Sequence, residues 1–124
     1  MKFDFDNKRP IYVQLVEKLK LAIVSGIYKP GSKLESIRDL AIQAKVNPNT
    51  IQKALIELEN NNLIYTERTN GKYVTNDIKL LEKHKNELAK EIVNTYISDM
   101  KSIGLTFEDS INYLEKLGGK KWQF

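Results

Sequence analysis

Residues 46–54 read VNPNTIQKA, and the fold turns on this stretch. Two asparagines flank Pro48, and Thr50, Gln52 and Lys53 follow with Ile51 and Ala54 as apolar company. The Asn47 side-chain oxygen can accept from a first-turn amide, and Pro48 at the first helical position gives up only an amide that has no intrahelical partner. A helix is therefore expected from here to about Asn61. With Ile51 at the centre of the buried face, a step of about 100° per residue turns Ala54, Leu55 and Leu58 inward with it. Asn49 and Lys53 then point away from the core, with Thr50 and Gln52 on the flanks.

Working outward, RPIYVQLVEKLKLAIVSG (9–26) sets Ile11, Leu15, Leu19 and Ile23 four apart, with Tyr12 and Val16 beside them. Pro10 suits a helix start and Gly26 a stop, so this is a first helix. YKPGSKL (28–34) reads as a turn from Pro30 and Gly31. ESIRDLAIQA (35–44) gives Ile37, Leu40, Ala41 and Ala44 at helical spacing, a short second helix. Two short helices across a tight turn make a helix-turn-helix. Ala41, Val46 and Ile51, five residues apart, supply the small residue, turn apolar and helix anchor that let such helices cross closely. A DNA major groove accounts for the polar composition: Asn and Gln bond base edges in two-point fashion, Thr meets a thymine methyl, and Lys reaches guanine or phosphate. Read alone, the stretch equally fits a capped surface helix with ordinary polar exposure.

The following segment favours DNA. NLIYTERTNGKYVTND (62–77) carries Leu63, Ile64 and Tyr65, an Asn70-Gly71 turn signal, then Tyr73 and Val74, which predicts a small hairpin with Arg68 and Lys72 near its tip. A basic hairpin after a helix-turn-helix is a wing, placed to touch backbone or adjacent minor groove. Charge agrees with this. Residues 1–76 carry 12 Lys/Arg against 8 Asp/Glu while 77–124 carry 8 against 8, so the whole formal excess of +4 lies in the first part, as an anionic partner for that part requires.

These motifs resemble the winged-helix domain of GntR-type bacterial transcription regulators, in particular the short YtrA-type subfamily. PIYVQ, KPGSKL, SIRDLA, VNPNTIQKA, the ELE…LI junction and GKYV carry the likeness in order across roughly residues 9–76. The resemblance implies dimeric, operator-binding control of transcription, usually repression and often of an operon encoding an ABC transporter. It further implies DNA contacts from Ser36 and Arg38 of the SxR element, from Asn47, Asn49, Thr50, Gln52 and Lys53 at the start of the third helix, and from Arg68, Gly71 and Lys72 in the wing. An ion pair of Arg38 with Glu35 or Asp39 is the alternative use of that arginine. Three departures stand out. Glu35 replaces the usual proline before Ser36, Lys45 stands where the turn commonly has glycine, and Thr69 and Lys72 occupy wing positions that are often Gly and Thr. Lys45 is thus expected at positive φ, at a cost of about 1 kcal/mol.

The last third has its own pattern. From Asp77 a long amphipathic helix sets Leu81, Leu88, Ile92, Tyr96 and Met100 on one stripe, with Ile78, Val93 and Ile97 nearby. Thr106 with Asp109 forms a capping-box pattern for a second helix bearing Phe107, Ile111, Leu114 and Leu117 and ending at Gly118-Gly119. So small a hairpin cannot bury both stripes alone, and a second copy in a symmetric dimer is the economical cover. Leu81, Leu88, Ile92, Tyr96, Met100, Ile111 and Leu114 are the dimerisation residues on this reading. His84 falls on the stripe as an interface histidine, and Trp122 and Phe124 of KKWQF either pack on the dimer or fray.

The expected fold is therefore α+β, mostly α: a winged helix-turn-helix DNA-binding domain over 1–76 and a small C-terminal two-helix dimerisation hairpin over 77–124. An enzyme is not expected, because no Gly-rich phosphate loop, Ser/His/Asp arrangement or cysteine is present. With a single histidine and no cysteine, neither a metal site nor a cofactor is expected. No apolar run approaches the roughly 20 residues of a membrane span, and the start lacks an apolar signal core, which predicts a cytoplasmic protein. The expected partners are double-stranded DNA bearing an inverted repeat and a second copy of the chain. The competing class is a winged helix serving protein contacts or RNA, which would lack steep salt-dependent affinity for duplex DNA.

Overall fold

In the computed structural model, which describes residues 3–119, the chain runs α1 (Ile11–Val24), α2 (Ile37–Ala44), α3 (Pro48–Asn60), β1 (Ile64–Glu67), β2 (Gly71–Val74), α4 (Ile78–Ser102) and α5 (Phe107–Tyr113). A π-helical segment, Leu114–Gly118, continues α5. The architecture is mostly helical with a two-stranded hairpin, a winged helix followed by C-terminal helices. Two compact units divide after Lys85, which lies inside α4 and beyond the Asn76/Asp77 boundary read from the sequence.

The first unit is built on a core shared by three helices and the hairpin. Leu15, Leu19 and Ile23 of α1 are essentially fully buried, whereas Ile11, first in the same series, sits at the rim. Gly26, at φ 85°, terminates the helix as its position suggested. Ser36 caps α2 by accepting from the Asp39 amide at 3.0 Å. Lys45 does adopt the left-handed conformation, φ 56° and ψ 45°, and the Val46 amide then closes onto the Ala41 carbonyl at 3.1 Å. Ala41 and Ile51 are buried and Val46 packs against the same core, so the five-residue spacing marks the helix crossing. In α3, Asn47 caps the helix by accepting from the Asn49 amide at 2.8 Å, and Ile51, Ala54, Leu55 and Leu58 are its buried face.

The hairpin pairs Ile64 with Val74, Tyr65 with Tyr73, Thr66 with Lys72 and Glu67 with Gly71. Asn70-Gly71 is therefore not a two-residue turn. Arg68, Thr69 and Asn70 form a three-residue loop, and Gly71 opens β2 at φ 110°. The YKPGSKL stretch does more than turn: Gly31 donates to Val74, Val74 to Ser32 and Leu34 to Lys72, adding an edge to β2. Gly31 is required there. It sits at φ 77°, and a Cβ would stand 2.5 Å from Asn76 Oδ1.

Leu81 joins this same core at 8% exposure. Its partners are the hydrophobic residues of the first unit, so of the residues read as a dimerisation stripe it is the one drawn into that core. The N-terminal arm is also fixed. Gln14, buried within α1, accepts from the Asp6 amide at 2.9 Å and donates to the carbonyls of Asp6 (2.9 Å) and Arg9 (2.8 Å), so the polar groups of a buried amide are matched.

In the second unit the end of α4 turns at Gly104, φ 88°, with the Ile103 and Leu105 amides both donating to the Met100 carbonyl. The capping box forms as read: Asp109 N–H donates to Thr106 Oγ1 at 3.1 Å and Thr106 N–H to Asp109 Oδ2 at 2.9 Å. Tyr96 crosses between the two helices, its hydroxyl donating to the Ser110 carbonyl at 2.7 Å. Leu88 and Met100 are half-buried, whereas Ile92, Ile111 and Leu114 are exposed, with Ile103, Phe107 and Leu117. Tyr96, Met100, Ile103, Tyr113, Leu114 and Leu117 line an apolar cleft of about 480 Å3. Trp122 and Phe124 lie outside the described residues.

Candidate nucleic-acid interface

The residues proposed for DNA contact gather into two neighbourhoods of the first unit. One is the outer face of α3. Because Ile51, Ala54, Leu55 and Leu58 are drawn into the core, helical geometry leaves Asn49, Gln52 and Lys53 exposed and Thr50 half-exposed beside them. Asn47 stands at the helix start, where its carboxamide oxygen accepts from the Asn49 amide. Its NH2 donors and the second lone pair of that oxygen remain to meet a ligand.

Lys53 is placed by a residue from outside the helix-turn-helix. Its ammonium lies 4.4 Å from the centroid of the Tyr12 ring in α1, well inside the range of a cation–π contact. The Tyr12 hydroxyl donates to the Glu57 carboxylate, one turn further along α3 from Lys53. That hydrogen bond, with burial and the nearby negative charge adding to it, holds the Tyr12 hydroxyl above the usual tyrosine range, so it remains a neutral donor.

The second neighbourhood is a cleft of about 710 Å3 between the start of α2 and the hairpin. Ser36 and Arg38 line it from α2, Arg68, Gly71 and Lys72 from the wing, and Lys33 from the edge segment. From α3 only the buried Leu55 reaches it, so the cleft and the polar face of α3 are separate features. Ser36 Oγ already accepts from Asp39, leaving its hydroxyl hydrogen to donate. Arg38 is exposed and, among the described residues, pairs with neither Glu35 nor Asp39. Glu35 instead accepts from the Tyr28 hydroxyl at 2.8 Å. Burial, then the Glu35 hydrogen bond, push that hydroxyl far above the ordinary tyrosine range.

Lys72 behaves differently from the other cations. Its ammonium donates to Thr66 Oγ1 at 2.8 Å and lies 3.6 Å from Glu59 Oε2 of α3, while Thr66 donates to Glu59 Oε1 at 2.6 Å. Its cross-strand partner Thr66 and the Ile64–Val74 pair share one face of the hairpin, the face turned toward the body of the unit. Lys72 thus ties wing to α3. Arg68, in the loop, is exposed. On the other face Tyr65 and Tyr73 stack with centroids 5.8 Å apart, a cross-strand aromatic pair that stiffens so short a hairpin. Gly71 allows close approach at the same place: a Cβ there would stand 3.2 Å from Lys33 Cε.

Sequence reading missed Tyr12, Glu57, Glu59 and Lys33 as members of these neighbourhoods. The available signal was Tyr12 and Gln14, polar-tipped residues set among the apolar positions of the first helix.

The comparisons with known proteins agree with this geometry. Residues 11–74 match the model of the family described as bacterial regulatory proteins, gntR family. The HTH-type transcriptional repressor YtrA of Bacillus subtilis is 35% identical over 127 residues, covering 98% of each chain. Among solved structures, a GntR family transcriptional regulator from Listeria monocytogenes is 42% identical with a TM-score of 0.85, covering 91% of this chain and 99% of its own. The DNA-binding domain of AraR in complex with operator ORX1 is 26% identical with a TM-score of 0.55, covering 60% of this chain and 99% of its own. With the family model spanning the whole helix-turn-helix and wing, and near full-length relatives on both sequence and structure, the chain belongs to the gntR family of bacterial regulatory proteins.

Proposed function

We propose that this DNA-binding transcription regulator acts in the cytoplasm as a homodimeric repressor, seating one winged helix on each half of an inverted-repeat operator that controls an operon such as one for an ABC transporter. The observation that carries the reading is the outer face of α3: Asn49, Gln52 and Lys53 exposed on a helix whose opposite face is wholly buried. Such a helix enters a major groove with its N-terminal residues at base edges. Arg38 and Arg68, exposed on either side of the cleft between α2 and wing, are the phosphate contacts, and Ser36, Asn47, Thr50 and the Gly71 backbone complete the set. An operator complex of the AraR DNA-binding domain and the repressor YtrA support the assignment.

Dimerisation is assigned to the second unit. Ile92 is 66% exposed and Leu114 54%; Tyr96, Met100 and Leu114 line the apolar cleft, and Leu88, Ile92 and Ile111 complete the proposed dimerisation set. Exposed apolar residues gathered in this way suit a protein interface. None of the helices described is long and apolar enough to cross a membrane.

The test is selection of duplexes from a random pool by the full-length chain, followed by binding of the selected duplex and a scrambled one at several salt concentrations. Enrichment of an inverted repeat, with a steep salt dependence on both duplexes and tighter binding to the selected one, is expected. Equal affinity for the two duplexes would sink the proposal.

A further inference from the structure

Tyr12 belongs to α1, yet its ring lies beneath one cation of the outer face of α3 and its hydroxyl is fixed by one anion. Lys53 and Glu57 stand four apart on α3, neighbours on the helix surface at a spacing where opposite charges pair. They are not paired in this way. The carboxylate is taken up by the Tyr12 hydroxyl, and the ammonium rests over the ring.

The two contacts have different electrostatic effects. A carboxylate partner would neutralise Lys53 and compete with any phosphate for its hydrogen bonds. An aromatic face attracts the ammonium through its quadrupole but leaves its net charge, and its donors on the solvent side, intact. Holding the flexible lysine stem over the ring also removes rotamer freedom before DNA arrives, and that ordering cost otherwise falls on the binding step.

Resting on the DNA-binding reading above, we propose that Tyr12 is a positioning residue for Lys53: its hydroxyl holds Glu57 away from pairing with the lysine, and its ring presents the unpaired ammonium to a DNA phosphate. Tyr12 acts through Lys53 and makes no contact with DNA itself.

The experiment uses the full-length chain and the duplex it selects from the random pool. Lys53→Ala is expected to weaken binding and to lower the salt slope by about one. Tyr12→Phe keeps the ring but frees Glu57 to pair with Lys53. It is expected to weaken binding about fivefold, in the range of a lost preorganised contact, with a shallower salt slope. Tyr12→Phe combined with Glu57→Gln removes the competing charge and is expected to return affinity to within about twofold of the unmodified chain. In a Lys53→Ala background, Tyr12→Phe is expected to have no further effect. Thermal melts by circular dichroism accompany each variant, since a merely structural tyrosine would lower the melting temperature without coupling to Lys53. Undiminished loss from Tyr12→Phe in the Lys53→Ala background, or no restoration by Glu57→Gln, overturns the proposal and points to a direct tyrosine–phosphate contact or a packing role. Failure of the unmodified chain to select any duplex overturns the DNA-binding reading itself.

Discussion

Lys45 holds a backbone conformation that a side chain makes costly. At φ 56° and ψ 45° its Cβ crowds the following carbonyl, a penalty glycine avoids, and the side chain is exposed. Replacing it with glycine leaves the Val46–Ala41 hydrogen bond and the helix crossing in place. Lys45→Gly is therefore expected to stabilise the first unit by about 1 kcal/mol, read as a higher urea midpoint with an unchanged slope. A lower midpoint would show that the lysine side chain makes a compensating contact. Ser36 and Asn47, at helix starts, each accept one backbone amide, which fixes their side chains while leaving donors and one lone pair for a ligand.

Among the elements, the wing separates two kinds of basic residue that the sequence displays alike. Arg68 lies in the exposed loop, whereas Lys72 is tied to Thr66 and Glu59. Arg68→Ala is expected to lower the salt slope of duplex binding by about one. Lys72→Met should leave that slope nearly unchanged and instead loosen the wing, seen as faster amide exchange in β1 and β2. A slope change equal to that of Arg68→Ala would place Lys72 on phosphate after all. The helices were legible because their information is local: Ile51, Ala54, Leu55 and Leu58 repeat at the helical period, and Asn47-Pro48 and Thr106–Asp109 mark helix starts through bonds spanning two or three residues. What stayed hidden was non-local. Gly31–Leu34 becomes a strand edge only by meeting β2, Leu81 is recruited by a core whose members lie far earlier in the chain, and Tyr12 meets Glu57 across 45 positions. The polar face of α3 was legible from the same periodicity, but the division of labour between Lys53, Lys72 and Arg68 depends on partners that no spacing encodes.

At the scale of the whole molecule, the proposed dimer would gain affinity by joining two half-site contacts, since a linked second contact works at an effective concentration of about millimolar. Ile92→Glu with Leu114→Glu places charge on the exposed apolar residues of the second unit. The double variant is expected to sediment as a monomer and to lose about two orders of magnitude in affinity for the full inverted repeat, while binding a single half-site as before. A dimer with undiminished affinity would move the interface elsewhere. The short polar face of α3 bears on how much such a protein can know about its genome. On the proposed reading, Asn49, Thr50 and Gln52 are the α3 side chains that meet base edges. Those three residues resolve about three base pairs per half-site at about 2 bits each, since the major groove distinguishes all four pairs. Two halves then carry about 12 bits, and singling out one site among ~10⁶ competitors takes about 20. The missing information must reside in features that the side chains never touch, so operators of this regulator should be recognisable as much by the bendability and groove width of their uncontacted base steps as by the letters beneath α3.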